Sequence, residues 1–370
     1  MKIDAEKSTP KYLQLKEIVK RHLKDEHYQT DQKIPSESEL MVQFHVSRST
    51  VRQTLAELVN EGVIYKKQGL GSFFSGKTRG NQNRSYLIGV IVPGLSFYIY
   101  PKIIQGINDI VYQKRYNIVL GSSDTDPEKE PACLEQLLEK NIDGLLFEPS
   151  IGPQQFLDSK TYHFLQALTI PVVFMDWALA THEVSYVSLD DVEGGFRATS
   201  YLIEAGHRRI AYVYPNTHVP GIQRYQGYRK ALAANRIEFD PRLAKTNTTL
   251  KWRDANHGYL LMKELIALGT DRPTAVFFFN DETALQAYAA IREAGLKIPD
   301  DISVMGFDDS DLAVLAETPL TTMIHPKYQI GKWAAEILCD QIEHQGRNTP
   351  QQMILHPAIA VRNSVKKPSW

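Results

Sequence analysis

Hydrophobic positions recur every three to four residues through the first 60 residues, then briefly every second residue. After about residue 85 they fall into short apolar runs separated by longer helical stretches. Leu15, Ile18, Val19 and Leu23 lie at helical spacing and predict a first helix over residues 9–27, with Thr9 as its cap and Pro10 in its first turn. Pro35-Ser36, with Glu39 three residues beyond Ser36, is a capping-box pattern that opens a second helix running through Phe44. Ser47 caps a third, whose Val51, Leu55, Leu58 and Val59 form the buried stripe and which Gly62 ends. The run VIYKKQGLGSFFSG over residues 63–76 then predicts two short strands around a glycine-bounded tip.

Residues 76–85 (GKTRGNQNRS) are polar and glycine-bearing and read as a linker between a head at 1–75 and a body at 86–370. The body pattern predicts strands at 86–92, 116–121, 143–147, 170–175, 209–214, 274–279, 302–306 and 322–324. Helices are expected between them at 127–140, 191–205, 224–234, 253–268, 282–294 and 328–345. Such alternation implies parallel sheets covered on both faces. The body is too long for one comfortable sheet, so two subdomains with a cleft are expected. In open α/β sheets ligands sit beyond the carboxyl ends of the strands.

Charge sharpens the division. Residues 1–84 carry 15 Lys and Arg against 10 Asp and Glu, whereas the rest carries 27 against 33. A basic head on an acidic body fits a nucleic-acid-binding module joined to another domain. No run of 18 apolar residues exists and the N-terminus lacks a signal-peptide pattern, so a cytoplasmic protein without a membrane partner is expected. Cys133 and Cys339 lack metal-ligand spacing and read as core thiols. No nucleophile–base–orienter set, zinc motif or cofactor fingerprint is present, so neither catalysis, a metal nor a cofactor is expected.

On the third helix Arg48 and Arg52 are four residues apart and share a face with Ser49 and Thr50, opposite the apolar stripe. Arginine grips guanine edges or phosphates, and hydroxyls near the helix start take a phosphate. The expected DNA-reading set adds Gln53 on this helix, the cap residues Ser36 and Ser47, and Lys11 at the start of the first helix. Gln68, Gly69 and Gly71 complete it at the wing tip, where glycine lets backbone approach a minor groove. Residues 71–78 (GSFFSGKT) also satisfy the phosphate-loop pattern. That motif needs a strand before it and a helix after it, whereas a wing strand and a polar linker are expected here. The motifs PSESEL, VSRSTVRQTLAEL and GLGSFF resemble the winged helix-turn-helix of the GntR family of bacterial repressors. Ser38 stands where many members carry Arg, which would remove one base contact.

In the body, FND at 279–281 and GFDD at 306–309 place Asn280, Asp281, Asp308 and Asp309 at strand ends. LTTMIHP at 320–326 leads to His325, and Arg224 lies near a helix start. Tyr98, Tyr100 and Lys102 follow the first strand, and Glu148, Asp176 and Trp177 follow the third and fourth. Planar bidentate groups pair with vicinal hydroxyls and aromatics cover the C–H faces of sugars. Asn280, Asp281, Asp308 or Asp309 could equally be helix caps. These motifs resemble the effector-binding domain of the LacI/GalR repressors, which is related to periplasmic sugar-binding proteins. That resemblance implies effector contacts at Arg224, Asn280, Asp308 and His325, and at Arg253.

The family's own helix-turn-helix and hinge helix are absent. A GntR-type head on a LacI-type body is similar to the arabinose-responsive repressors, a likeness that SFYIYP at 96–101 and Glu148-Pro149 also fit. The implied architecture is a small α+β winged helix-turn-helix plus an α/β periplasmic-binding-protein-like domain of two parallel-sheet subdomains. The implied function is a homodimeric repressor on double-stranded operator DNA, released by a small sugar, L-arabinose, bound through Tyr98, Tyr100, Lys102, Glu148, Asp176 and the residues above.

Overall fold

The computed structural model describes residues 11–25, 28–67, 70–75, 84–179, 183–246, 256–344 and 349–368. The chain divides into two compact units, Met1–Ser85 and Tyr86–Trp370. The first holds α1 (Lys11–Asp25), α2 (Glu37–Phe44) and α3 (Arg48–Asn60), then the antiparallel pair β1 (Ile64–Lys67) and β2 (Gly71–Phe74). Leu15, Val19 and Leu23 of α1, Leu40 of α2 and Val51, Leu55 and Leu58 of α3 close on Ile34 and Ile64. Fully burying each such side chain contributes about 1.5–3 kcal/mol, which suffices to hold three short helices that would be marginal alone. Lys16 and Lys20 reach Glu61 beyond α3 at 3.0 and 2.6 Å, tying the two helices at that end.

Both halves of the capping box form. The Glu39 N–H donates to Ser36 Oγ at 3.3 Å, and the Ser36 N–H donates to the Glu39 carboxylate at 2.7 Å. The turn from α2 to α3 passes through His45 at φ 51°, and Gly62 closes α3 at φ 65°. Residues 71–74 of the phosphate-loop pattern are wing strand β2, as expected, Ser75 follows it, and residues 76–78 lie outside the described residues. So do residues 76–83 of the expected linker, and residues 9–10 and 26–27 at the ends of the first predicted helix.

The second unit has two lobes. In chain order its first half contains β3 (Leu87–Val92), α4 (Tyr100–Gln113), β4 (Asn117–Ser122), α5 (Glu130–Leu138), β5 (Gly144–Phe147), α6 (Pro153–Leu157), α7 (Lys160–Gln166), β6 (Val172–Met175) and β7 (Ser185–Leu189). Next come α8 (Asp191–Glu204), β8 (Ile210–Tyr214), α9 (Val219–Ala234), β9 (Ala244–Thr246), α10 (His257–Ile266), β10 (Ala275–Phe278), α11 (Asp281–Glu293), β11 (Ser303–Asp308), α12 (Asp311–Leu315) and β12 (Thr321–Ile324). The chain ends with α13 (Lys327–Glu343), β13 (Gln352–Leu355) and β14 (Ala358–Ala360).

One sheet has the order β13-β7-β6-β5-β3-β4 and the other β14-β12-β11-β10-β8-β9. Every pairing is parallel except β12 with β14. The chain crosses between lobes after β7, after β12 and between β13 and β14. The eight expected strands are present within one or two residues. The structure adds β7, β9, β13, β14, α4, α6, α7 and α12 to the expected elements, and α9 starts five residues earlier than expected. The missed strands are three to five residues long, and three of them (β9, β13 and β14) lie at sheet edges, where burial imposes little pattern.

Glycines let the helices pack backbone to backbone. A Cβ at Gly106 of α4 would stand 2.1 Å from the Tyr328 carbonyl oxygen of α13, and one at Gly195 of α8 would stand 2.1 Å from the Arg224 carbonyl oxygen of α9. The second approach fixes Arg224 against the first residues of α8, and that sets up the site below.

Candidate DNA-reading surface and effector cleft

On the first unit, Arg48 and Arg52 lie on the solvent side of α3, 69% and 66% exposed, while Val51 and Leu55 face inward. Ser49 and Gln53 share that outer face, Thr50 is half-buried and Lys11 is exposed at the start of α1. The Ser47 hydroxyl accepts from the Thr50 N–H at 3.3 Å and lies 2.9 and 2.8 Å from the Ser49 and Thr50 hydroxyls. Ser36 and Ser47 are thus occupied as caps, and what they expose is a helix start. Glu37, which the sequence reading missed, lies 3.6 and 3.4 Å from Arg48 and Arg52 and holds both guanidinium groups on one face. Its signal was legible, since it opens the helix preceding the two arginines. On the wing, Gly71 adopts φ 111°, a region that favours glycine, and Lys67 lies over the Tyr65 and Phe73 rings. Gln68 and Gly69 lie outside the described residues.

In the second unit the strand ends converge between the lobes. Arg224 is 4% exposed. Its Nε donates to Asp191 at 2.7 Å, its Nη1 donates to the Phe279 carbonyl at 2.6 Å, and Nη1 lies 3.8 Å from Asp308. Its guanidinium stacks 3.4 Å above the Phe307 ring centroid, an arrangement open to Arg and closed to Lys. The hydroxyl of Tyr98, from the opposite lobe, donates to Asp308. Nearby, His325 Nε2 meets Asp176 at 2.9 Å, and the Tyr100 hydroxyl donates to Glu148 at 3.0 Å.

The two carboxyls are driven apart. Burial, reinforced by the charge of Asp176, pushes Glu148 well up, while burial of Asp176 is overcome by His325 and Arg224, which hold it below the ordinary range. Glu148 therefore keeps its proton to a higher pH than an ordinary glutamate, while Asp176 gives its proton up more readily than an ordinary aspartate, so the two carboxyls differ in hydrogen-bonding character. Glu148 Oε2 and His325 Nδ1 are buried without a hydrogen-bond partner among the described residues. Beside Asp176 and Asp191 runs a cavity of about 210 Å³, also lined by Trp177, Ser188, Asp190 and Gln223.

Not every expected contact gathers here. Lys102 points to the rim, where it is about half exposed and pairs with Asp311 at 2.7 Å, outside the buried cluster. Asn280 is buried, but its Oδ1 accepts from the Thr283 N–H at 2.9 Å as the cap of α11, so part of its hydrogen-bonding capacity is spent on the helix start. Arg253 lies outside the described residues. Ser310, not Asp308 or Asp309, caps α12. The sequence reading missed Asp191 and Gln223. The Asp190-Asp191 doublet repeats the signal of Asp308-Asp309, but β7 before it had not been recognised.

Asp281 lies beneath this cluster, accepting from the Thr322 hydroxyl at 2.5 Å and the Ser310 N–H at 2.7 Å. Gly306 makes room for it, since a Cβ there would stand 2.2 Å from its Oδ1. Burial and the nearby Asp308 raise the Asp281 carboxyl from 3.8 to about 7. The folded state then holds a proton that the unfolded chain releases near 3.8, so this group lowers stability as pH rises from about 4 to about 7. Asp281→Asn is expected to flatten the fall in stability between pH 5 and pH 7 by up to about 1.4 kcal/mol per pH unit. Urea unfolding at the two pH values measures it, and equal slopes in parent and variant would contradict the assignment.

Residues 11–74 match the model of the bacterial regulatory proteins of the gntR family, and residues 199–365 match a periplasmic binding protein-like domain. The chain is 36% identical to the arabinose metabolism transcriptional repressor of Geobacillus stearothermophilus over 98% of this chain and 99% of that one. It is 35% identical to the protein of the same name from Halalkalibacterium halodurans over 90% of each. A solved transcriptional regulator CelR–cellobiose complex superposes with a TM-score of 0.67 at 27% identity, covering 86% of this chain and 91% of that one.

A winged helix-turn-helix joined to a two-lobed α/β sensing unit defines a bacterial transcriptional repressor with a ligand-binding domain. More narrowly, the chain belongs to the family of the arabinose metabolism transcriptional repressors, in which a GntR-type head is fused to a LacI-type body. No described helix is long and apolar enough to cross a membrane.

Proposed function

We propose that this repressor acts in the cytoplasm as a homodimer on a palindromic operator and is released from it by L-arabinose. The sugar binds between the lobes of the second unit, with Arg224, Asp308, Tyr98, Tyr100, Glu148, Asp176 and His325 around it. The observation that carries this reading is the pair of partnerless buried atoms, Glu148 Oε2 and His325 Nδ1, within a cluster that offers a guanidinium, two carboxyls whose acidities are pushed in opposite directions, and tyrosine hydroxyls. Buried polar atoms without partners are rare, and a polyhydroxylated ring supplies donors and acceptors to match. The names of the two arabinose repressors support the choice of sugar. DNA is read by α3 through Arg48, Ser49, Arg52 and Gln53, with the wing beside it.

Leu312, Val314 and Leu315 of α12 are 60%, 52% and 78% exposed and give a second copy an apolar surface to cover. Two copies place two heads on half-sites about one helical turn or its multiples apart. Sugar binding shifts the lobes toward closure, and a differential affinity of a few kcal/mol suffices for release.

The test is a mobility-shift assay on the promoter of the protein's own gene with L-arabinose, D-xylose, D-ribose and D-galactose. Release by L-arabinose alone is expected. A shifted band that persists with every sugar would overturn the reading, and release by a different one would replace the ligand.

A further inference from the structure

Lys327 opens α13, a helix whose Ile330, Ala334 and Leu338 belong to the core of the first lobe. Its side chain, however, reaches the strand end of the second lobe and is 5% exposed. The ammonium donates to the carbonyl of Asp308 and lies 3.4 Å from the carbonyl of Asp309. These two residues are consecutive and both left-handed, at φ 106° and φ 52°. Side chains other than glycine avoid that region, and two in succession persist only where surrounding bonds impose them. Asp309 is held further through Arg362 to its carboxylate at 2.5 Å and the Thr322 hydroxyl 3.4 Å from its N–H. Among the described contacts, only Lys327 holds the Asp308 carbonyl outside the sheet pairing. The Asp308 carboxylate in turn receives the Tyr98 hydroxyl and faces Arg224.

We propose that Lys327 is a positioning residue of the effector cleft, whose ammonium clamps the left-handed Asp308–Asp309 turn and thereby aims the Asp308 carboxylate at the sugar. This rests on the reading of Asp308 as a sugar contact given above. Burial, with the charge of Lys102, lowers the affinity of Lys327 for its proton, and Asp308, Asp281 and Asp309 offset this only in part. A neutral side chain of similar length loses the clamp while still filling the space.

The test compares the full-length parent with Lys327→Met, Lys327→Arg and Asp308→Ala by calorimetric titration with L-arabinose, and by crystal structures of the parent and the two Lys327 variants. Losing a charged hydrogen bond predicts a Kd raised about 10- to 100-fold in Lys327→Met. Lys327→Arg keeps donors to both carbonyls and should stay within about threefold of the parent. In the Lys327→Met crystal, Asp308 should leave positive φ and its carboxylate should move away from Arg224.

A Lys327→Met protein that binds within twofold of the parent, or whose Asp308–Asp309 backbone is unchanged, overturns the proposal. Should Lys327→Met not fold, Lys327→Gln, with a shorter neutral donor, takes its place under the same two criteria. Parent-like binding by Asp308→Ala would instead overturn the cleft reading itself and the proposal with it. The crystal structures test the clamp independently of which sugar binds.

Discussion

Arg224→Met is expected to lower the stability of the sensing unit by about 3–5 kcal/mol and to abolish release from the operator by sugar. The guanidinium is nearly fully buried and bridges Asp191 at 2.7 Å and the Phe279 carbonyl at 2.6 Å, with Asp308 3.8 Å away. Taking away one partner of a buried pair leaves the other charge without compensation, which is why the loss exceeds that of a surface ion pair. Burial already pushes the Asp191 carboxyl up, opposed by Arg224, so in the variant Asp191 should take up a proton at a higher pH. Arg224→Met combined with Asp191→Leu should recover part of the stability, because the carboxylate closest to the lost guanidinium is removed with it, but not the response to sugar. Urea unfolding followed through Trp177 and Trp333 gives the first number and a mobility shift with sugar gives the second. A single variant within about 1 kcal/mol of the parent would show that Arg224 is not the keystone of this network.

Arg52→Ala should weaken operator binding about 10- to 100-fold and, if Arg52 clamps phosphate, reduce the slope of log K against log salt by about one. The side chain is 66% exposed and interacts with Glu37 only at 3.4 Å, so its removal should leave the head folded. A base contact would give a different pattern, with weaker binding at constant salt slope and relaxed preference at one position. Titrating labelled operator DNA at several salt concentrations separates the two. Unchanged binding at every concentration would remove Arg52 from the interface. Arg48→Ala provides the companion measurement, since Glu37 holds both arginines on the same face.

The contrast between these variants follows from where each side chain sits. Arg52 meets a partner that arrives from solvent, so its loss is felt in binding and hardly in folding. Arg224 is enclosed by Asp191, Phe279 and Phe307, so sensing and stability depend on the same bonds.

The sequence by itself determined the elements whose signals are local. The capping box of Ser36 and Glu39, the Ser47 cap and the 3.6-residue stripe of α3 specify the head, because caps and helical faces depend on neighbours within four residues. Eight of the parallel strands were equally legible, since strands buried on both faces read as continuous apolar runs. The likeness of the two halves to GntR and LacI/GalR proteins rested on contiguous motifs of the same kind.

Tertiary structure alone decided the rest. Edge strands β9, β13 and β14 gain their conformation from a neighbouring strand far away in sequence, and short segments carry little intrinsic preference. The same holds for the roles of charged residues at the cleft. Lys102 and Lys327 are both lysines near the predicted cleft, yet one pairs with Asp311 at the rim and the other is buried against two carbonyls. Asp176, Asp191, Asp281 and Asp308 are all carboxylates at strand ends or helix starts. Burial with Arg224 and His325 shifts Asp176 and Asp191, burial with Asp308 shifts Asp281, and those surroundings exist only once three crossovers have brought two lobes together. Local periodicity writes the elements, whereas desolvation and charge partners write the chemistry, and they come from residues tens to hundreds of positions apart.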